Sequence, residues 1–292
     1  MVAALLYYLL LPFFYLLSLL PFRILYIASD FTYFILFNII GYRKKVINTN
    51  LRNAFPEKST NEINLIQKRF CHFLCDLFLE TFKTLTISKN EMLKRCTINQ
   101  QALDLFNRYE KEGKSVILVM GHQGNWEWGG NSFSIMVPQQ LYVIYHQLAN
   151  PHFDKLMYNM RSRFGTKLIE MRETFKTMVN NKKEVNATCF IADQTPHPKG
   201  AYWTTFLNQD TPVFWGTEKI ARKLNLPVIY LHLDKLKRGY YELSAELLVD
   251  NPAQTAEGEI SELHTRRLEK DIVKCPETWL WSHRRWKHIK PT

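Results

Sequence analysis

Val116-Ile-Leu-Val-Met-Gly-His-Gln-Gly-Asn-Trp-Glu-Trp-Gly-Gly130 decides how the rest of the chain is read. Its first five residues are an apolar run stopped by a glycine, the pattern of a buried strand. His122 follows at the expected strand tip. Asn125 is an N-cap residue type, with Glu127 in the first turn of the helix it opens, where the helix dipole favours a carboxylate. Gly121 and Gly124 let the backbone turn tightly and let a ligand come close. The stretch therefore predicts strand, turn and helix, with His122 and Glu127 within hydrogen-bond reach of each other. A carboxylate on one ring nitrogen fixes the imidazole tautomer, and the other nitrogen can take a proton from a hydroxyl near neutral pH. No Ser or Cys lies in the stretch. Direct attack by a substrate hydroxyl is expected, without a covalent acyl-enzyme. A histidine that merely bonds its own turn satisfies the same spacing, so the surrounding chain must decide.

Outward from this motif, helix and strand patterns alternate. Strands are expected at 116–120, 141–145, 167–169, 187–192, 203–207, 227–233 and 240–248. Helices are expected at 99–112, 152–163, 173–182, 211–224 and 258–274, after a helical region at 46–87. This is an α/β pattern: a central, mostly parallel mixed sheet flanked by helices. Ligands of open sheets bind beyond the strands' carboxyl ends. His122, His146 and Asp193, with Gln194 next to it, all fall at such ends.

Residues 2–22 and 31–40 are almost wholly apolar or aromatic. A signal peptide fits poorly, since no basic residue precedes the run and no small-residue cleavage site follows. About 20 apolar residues span a bilayer as a helix, but Pro12 and Pro21 equally allow a tilted or hairpin anchor. Tyr7, Tyr8, Tyr15 and Tyr26 suit interfacial positions, and Arg43, Lys44 and Lys45 place the remainder in the cytoplasm. The expected division is a membrane anchor at 1–42 and a cytoplasmic domain at 43–292. A buried helix of a soluble protein is the alternative.

The 38 Lys and Arg against 27 Asp and Glu give a net charge of +11, which calls for an anionic partner. Five cysteines without paired spacing fit a reducing compartment. Cys71, His72 and Cys75 have no second ligand pair, so no metal is expected. No Walker loop, G-x-G-x-x-G or H-E-x-x-H occurs. The block Pro276-Glu-Thr-Trp-Leu-Trp-Ser-His-Arg-Arg-Trp-Lys-His-Ile-Lys290 is basic and aromatic. Arg284 and Arg285 could hold a phosphate or phosphopantetheine, with the tryptophans at a membrane interface. Nucleic-acid binding would need a groove and a fold motif that the chain lacks. A solvated tail is the third reading.

Together, Asn50-Leu-Arg-Asn-Ala-Phe-Pro56, Gly121-His-Gln-Gly-Asn-Trp-Glu127, Arg161-Ser-Arg-Phe-Gly165, Ala192-Asp-Gln194 and Pro276–Lys287 resemble the bacterial lipid A late acyltransferases, the lauroyl/myristoyl family. The resemblance covers nearly the whole chain. It implies acyl transfer from acyl carrier protein, or acyl-CoA, to a lipid hydroxyl at the cytoplasmic face of the inner membrane, with no cofactor and no nucleic acid. His122 would be the general base and Glu127 its partner. Gly124, Asn125, His146, Arg161, Arg163, Asp193, Gln194, Arg284 and Arg285 would serve the substrates. Backbone amides after Gly124, or an arginine, would hold the oxyanion. His146 stands where many members have arginine, and Phe206-Leu-Asn208 where many have Phe-Phe-Gly. Both differences bear on acceptor or acyl recognition. A lysophospholipid or amino-acid lipid remains open as acceptor. A membrane-anchored binder of polyanions without catalysis is the reading from another class.

Overall fold

The computed structural model describes residues 2–291. Met1 and Thr292, the outer ends of the two expected domains, lie outside the described residues. Helices α1 (Val2–Leu19), α2 (Phe22–Tyr33), α3 (Lys44–Ala54), α4 (Thr60–Lys83) and α5 (Lys89–Arg95) come first. They lead into β1 (Cys96–Ile98), α6 (Gln100–Lys111), β2 (Val116–Met120), α7 (Trp126–Met136), β3 (Gln140–Tyr145) and α8 (Pro151–Ser162). Then come β4 (Lys167–Glu170), α9 (Thr174–Asn180), β5 (Asn186–Ile191), β6 (Tyr202–Phe206) and β7 (Gln209–Val213). The last elements are α10 (Gly216–Leu224), β8 (Val228–Lys237), β9 (Tyr240–Val249) and α11 (Glu259–Lys274).

Seven strands form one sheet in the order β1-β9-β8-β2-β5-β3-β4. Only β8 and β9 pair antiparallel; their hairpin turns the edge of an otherwise parallel sheet. The expected α/β sheet with flanking helices is thus the observed one. Every residue of β2 is buried, as a central parallel strand covered on both faces requires.

One expected element changes character. Residues 211–224 are not a single helix: 209–213 form β7, and the helix begins at Gly216. Pro212 lies in a two-stranded hairpin opposite Trp203, outside the main sheet, where its missing N–H breaks no sheet ladder. Leu207 and Asn208, with φ of 49° and 62°, make that hairpin's two-residue turn. The side chain of Asn208 donates to the Ala54 carbonyl at 3.0 Å.

The N-terminal helices pack on the domain. Phe14 of α1 stacks on Phe82 of α4 with centroids 4.1 Å apart. Lys83 Nζ donates to the carbonyls of Ser18 and Leu20, each at 2.7 Å, closing the C-terminal end of α1. Arg238, at the β8–β9 turn, bridges Asp30 of α2 and Asp76 of α4. Tyr26 points inward rather than to an interface, and its hydroxyl donates to Glu80 at 2.8 Å. The outer faces leave Leu9, Phe13, Leu16, Leu19, Ile27 and Phe31 exposed. The 18 residues Phe22–Ile39 are long and apolar enough to cross a membrane by length and composition.

Candidate active site

Pairing of β2 with β5 sets the site. The two run parallel with Met120 opposite Ile191, so His122 and Asp193, each two residues further on, emerge side by side. Asp193 Oδ1 lies 2.6 Å from His122 Nδ1. Its Oδ2 accepts the His122 backbone N–H at 2.7 Å and the Trp279 indole N–H at 2.8 Å. Burial by itself would raise the Asp193 carboxyl, but the imidazole's charge and these donors outweigh it and bring the group to about 2. Asp193 is therefore a carboxylate at neutral pH. A carboxylate at that distance favours the tautomer with the proton on Nδ1, which turns the Nε2 lone pair toward the cavity. The Gln194 side-chain amide nitrogen is 3.3 Å from Nε2. The Trp126 ring meets the imidazole edge-on at 4.9 Å between centroids.

Glu127 does not take the place expected for it. Its carboxylate receives a fork from Arg161: Nε at 2.9 Å to one oxygen and Nη2 at 2.6 Å to the other. The first turn of α7 faces α8, which carries Arg161, and the imidazole already has its carboxylate from β5. Glu127 and Arg161 still line the same cavity as His122.

That cavity has a volume of about 240 Å³. His146, Leu148 and Arg161 stand at its mouth, with the exposed His146 imidazole bonded to the Gln147 carbonyl. Phe133, Leu141, Cys189, Leu231 and Leu243 line its buried end. Burial pushes the Cys189 thiol up to about 12, so it is a neutral packing group. The cavity is an apolar sleeve that opens beside a basic nitrogen.

Other expected ligand contacts prove to be parts of the scaffold. Gly124, at φ 64°, donates its N–H to the Thr278 carbonyl, and a Cβ there would lie 2.5 Å from the Leu233 carbonyl oxygen. Asn125 is wholly buried as the N-cap of α7, accepting from the Trp128 N–H at 3.0 Å. Its amide donates to Glu80, which also accepts from the hydroxyls of Tyr26 and Tyr241. Burial outweighs those donors and raises Glu80 to about 7. Arg163 donates to the carbonyls of Thr84 and Ile87 just past α4, and so serves that junction rather than the cavity.

Arg285 is 2% exposed and donates to the Pro212 carbonyl; it braces the core instead of holding a phosphate. Burial lowers its guanidinium to about 10. Arg284 is exposed beside Lys45 and Lys287, in a depression of its own. The turn at Phe206–Asn208 does not line the cavity.

The C-terminal block also differs from its expected membrane role. Trp279 and Trp281 are buried, Gln123 bridges to Trp279, and the Leu280 N–H donates to the His122 carbonyl. The block clamps the turn at His122 and Gln123 from behind. Asn50 of α3 donates to the carbonyls of Trp281 and His283, which ties the first motif to the last. Trp279 as a partner of Asp193 escaped the sequence reading. Its only signal was an aromatic cluster, and clusters of that kind serve cores and interfaces alike. Among the described residues, no group of three or more His, Cys, Asp or Glu is arranged to hold a metal ion.

A strand-tip imidazole–carboxylate pair above an apolar sleeve, on an α/β sheet, is an arrangement that can accept a proton beside an apolar ligand. The family model described as bacterial lipid A biosynthesis acyltransferase matches residues 1–288, and the chain belongs to that family. It is 23% identical over 251 residues to the lipid A biosynthesis palmitoleoyltransferase of Escherichia coli (strain K12), covering 84% of this chain and 79% of that protein. Identity and coverage are the same for a lipid A biosynthesis acyltransferase of Shigella flexneri. It is 20% identical over 256 residues to the lipid A biosynthesis myristoyltransferase of Escherichia coli (strain K12), covering 85% of this chain and 76% of that protein.

Proposed function

We propose that the protein moves a fatty acyl group from an acyl carrier protein thioester to a hydroxyl of a lipid A precursor, with His122 as general base and no acyl-enzyme. The observation that carries this is the His122 Nδ1–Asp193 contact of 2.6 Å, which leaves Nε2 basic at the mouth of the apolar cavity. The donor's chain lies in that cavity, where each buried methylene contributes about 0.8 kcal/mol. The acceptor hydroxyl gives its proton to Nε2 as its oxygen attacks the thioester carbonyl carbon. The tetrahedral intermediate collapses, the carbon–sulfur bond breaks, and the imidazolium proton goes to the departing thiolate. Asp193 stabilises the imidazolium in between.

Gln194, whose amide nitrogen is 3.3 Å from Nε2, is the side-chain donor best placed for the oxyanion; such a donor typically supplies about 3 kcal/mol. The Arg161–Glu127 ion pair borders the mouth, and its side chains give that rim a fixed polar edge beside the substrates' polar ends. The exposed apolar residues of α1 and α2 support attachment to a membrane surface. Lys44 and Lys45 follow that segment, which supports a cytoplasmic catalytic domain on the inner membrane. A net charge of +11 suits lipid phosphates and an acidic carrier protein.

The test is acyl transfer in detergent from carrier-protein thioesters of several lengths to three acceptors: an under-acylated lipid A precursor, a lysophospholipid and a lyso-amino-acid lipid. Transfer to the lipid A precursor that His122→Ala abolishes is the expected result. Transfer only to a lysolipid would move the protein to another acceptor, and an active His122→Ala would sink the mechanism.

A further inference from the structure

A second apolar cavity, of about 190 Å³, lies on the other face of the sheet. Side chains of a strand alternate between faces. On β5, Cys189 lines the first cavity, while Phe190 and Ala192 line the second. Phe214, Thr217 and Ile220, at the start of α10 and just before it, form the opposite wall. The two cavities share Ile144, Met171, Ile191 and Gln194, so they meet around the strand ends. Gln194 is the residue whose amide sits 3.3 Å from His122 Nε2. Met171, at the junction, is 46% exposed, a large apolar side chain turned to solvent.

We infer that this second cavity binds a hydrocarbon chain already carried by the acceptor lipid, while the first holds the chain being transferred. The inference rests on the proposed acyl transfer to a lipid. An acceptor hydroxyl must come within hydrogen-bond reach of Nε2. The acceptor's own chains then hang within a few ångströms of Gln194, and a chain left in water there forfeits its burial. The first cavity cannot take such a chain while the donor occupies it. The second is apolar and joined to the same mouth. Two chains thus lie on opposite faces of the sheet at the strand ends, with the acceptor hydroxyl oxygen and the thioester carbonyl carbon between them. Each methylene the second groove buries is worth about fourfold in acceptor binding.

The experiment fills the groove. Gly216 lies on its wall, and a Cβ there meets nothing within 4 Å, so Gly216→Leu adds bulk without backbone strain. Ile220→Phe does the same from the next turn of α10. Neither residue belongs to the catalytic machinery. Full-length enzyme in detergent would be assayed with a carrier-protein thioester and two lipid acceptors that differ only in the length of their existing chains. The expected result is a tenfold or greater rise in KM for the long-chain acceptor in both variants. Donor KM and acceptor-free thioester hydrolysis should stay within twofold of wild type. The short-chain acceptor should bind poorly to wild type and no worse to the variants. Unchanged long-chain KM in a folded Gly216→Leu enzyme would overturn the inference, as would a rise in donor KM instead. Wild type that transfers to no lipid acceptor at all would overturn the proposed function itself, and this inference with it.

Discussion

Asp193→Asn separates the imidazole's true partner from its expected one. All three groups on the Asp193 carboxylate are donors: His122 Nδ1–H on Oδ1, and the His122 backbone N–H with the Trp279 indole N–H on Oδ2. An asparagine must turn its NH2 toward one side. Facing Oδ2's position, it strands two buried donors, at about 1–3 kcal/mol each. Facing Nδ1 strands none, because the imidazole can shift its proton to Nε2 and accept at Nδ1. The cheaper choice is therefore the tautomer that cannot act as a base. Loss of the orienting carboxylate in such pairs lowers kcat by about 10⁴, or roughly 5.5 kcal/mol of barrier. The assay is kcat for acyl transfer with one fixed donor, alongside ¹⁵N NMR of the imidazole to read the tautomer. Glu127→Gln, run beside it, leaves the His122–Asp193 contact in place. If Asp193→Asn stayed within tenfold of wild type with Nδ1 still protonated, while Glu127→Gln lost a thousandfold, the orienting carboxylate would be Glu127 and the reasoning would fail.

The Glu127–Arg161 fork should behave as one unit. Arg161→Lys keeps the charge but loses the second hydrogen bond, and kcat/KM should fall about tenfold or more; the double variant with Glu127→Gln should fall no further than the worse single, as a double-mutant cycle would read. Cys189→Leu adds bulk at the buried end of the first cavity and should shift the preferred donor about two methylenes shorter, at about 0.8 kcal/mol each, in a chain-length competition assay. Burial holds His264 at about 4, against about 6.5 when unfolded. The unfolded chain then binds more protons across that window, so stability falls as pH drops from 6.5 to 4, by on the order of 3 kcal/mol from this group. Glu80, raised to about 7, works in the opposite sense: its contribution is full below pH 4.5 and is lost as pH rises through 7. Urea melts across pH for His264→Gln and Glu80→Gln should each remove one of these slopes; parallel curves for variant and wild type would refute the assignment.

Local signals carried much of the fold. The Val116–Met120 run, the Gly121 stop, the Asn125 cap and the α7 start are where the sequence puts them, because each rests on neighbouring residues alone. The failures were of one kind. Pro212 suggested a helix start, since the short hairpin that tolerates it is defined only by its partner strand. Arg163 and Arg285 read as substrate-binding groups, and Trp279 and Trp281 as residues of a membrane interface. The burial of Arg285 and of the two tryptophans, and the carbonyls that Arg163 meets, depend on which segments pack together, and spacing carries no record of that.

The candidate site divides along the same line. By itself the sequence determined that His122, His146 and Asp193 stand at strand ends in an α/β chain, because strand tips follow from hydrophobic runs and their breakers. It could not say which tips are neighbours. Strand β5, which follows β3 and β4 in the chain, inserts between β2 and β3, so the carboxylate beside His122 comes from 71 residues away rather than from the next helix. Strand order is a property of the whole packed sheet, settled by how helices cover both faces. That is why the partner of the His122 imidazole was decided only by the tertiary structure.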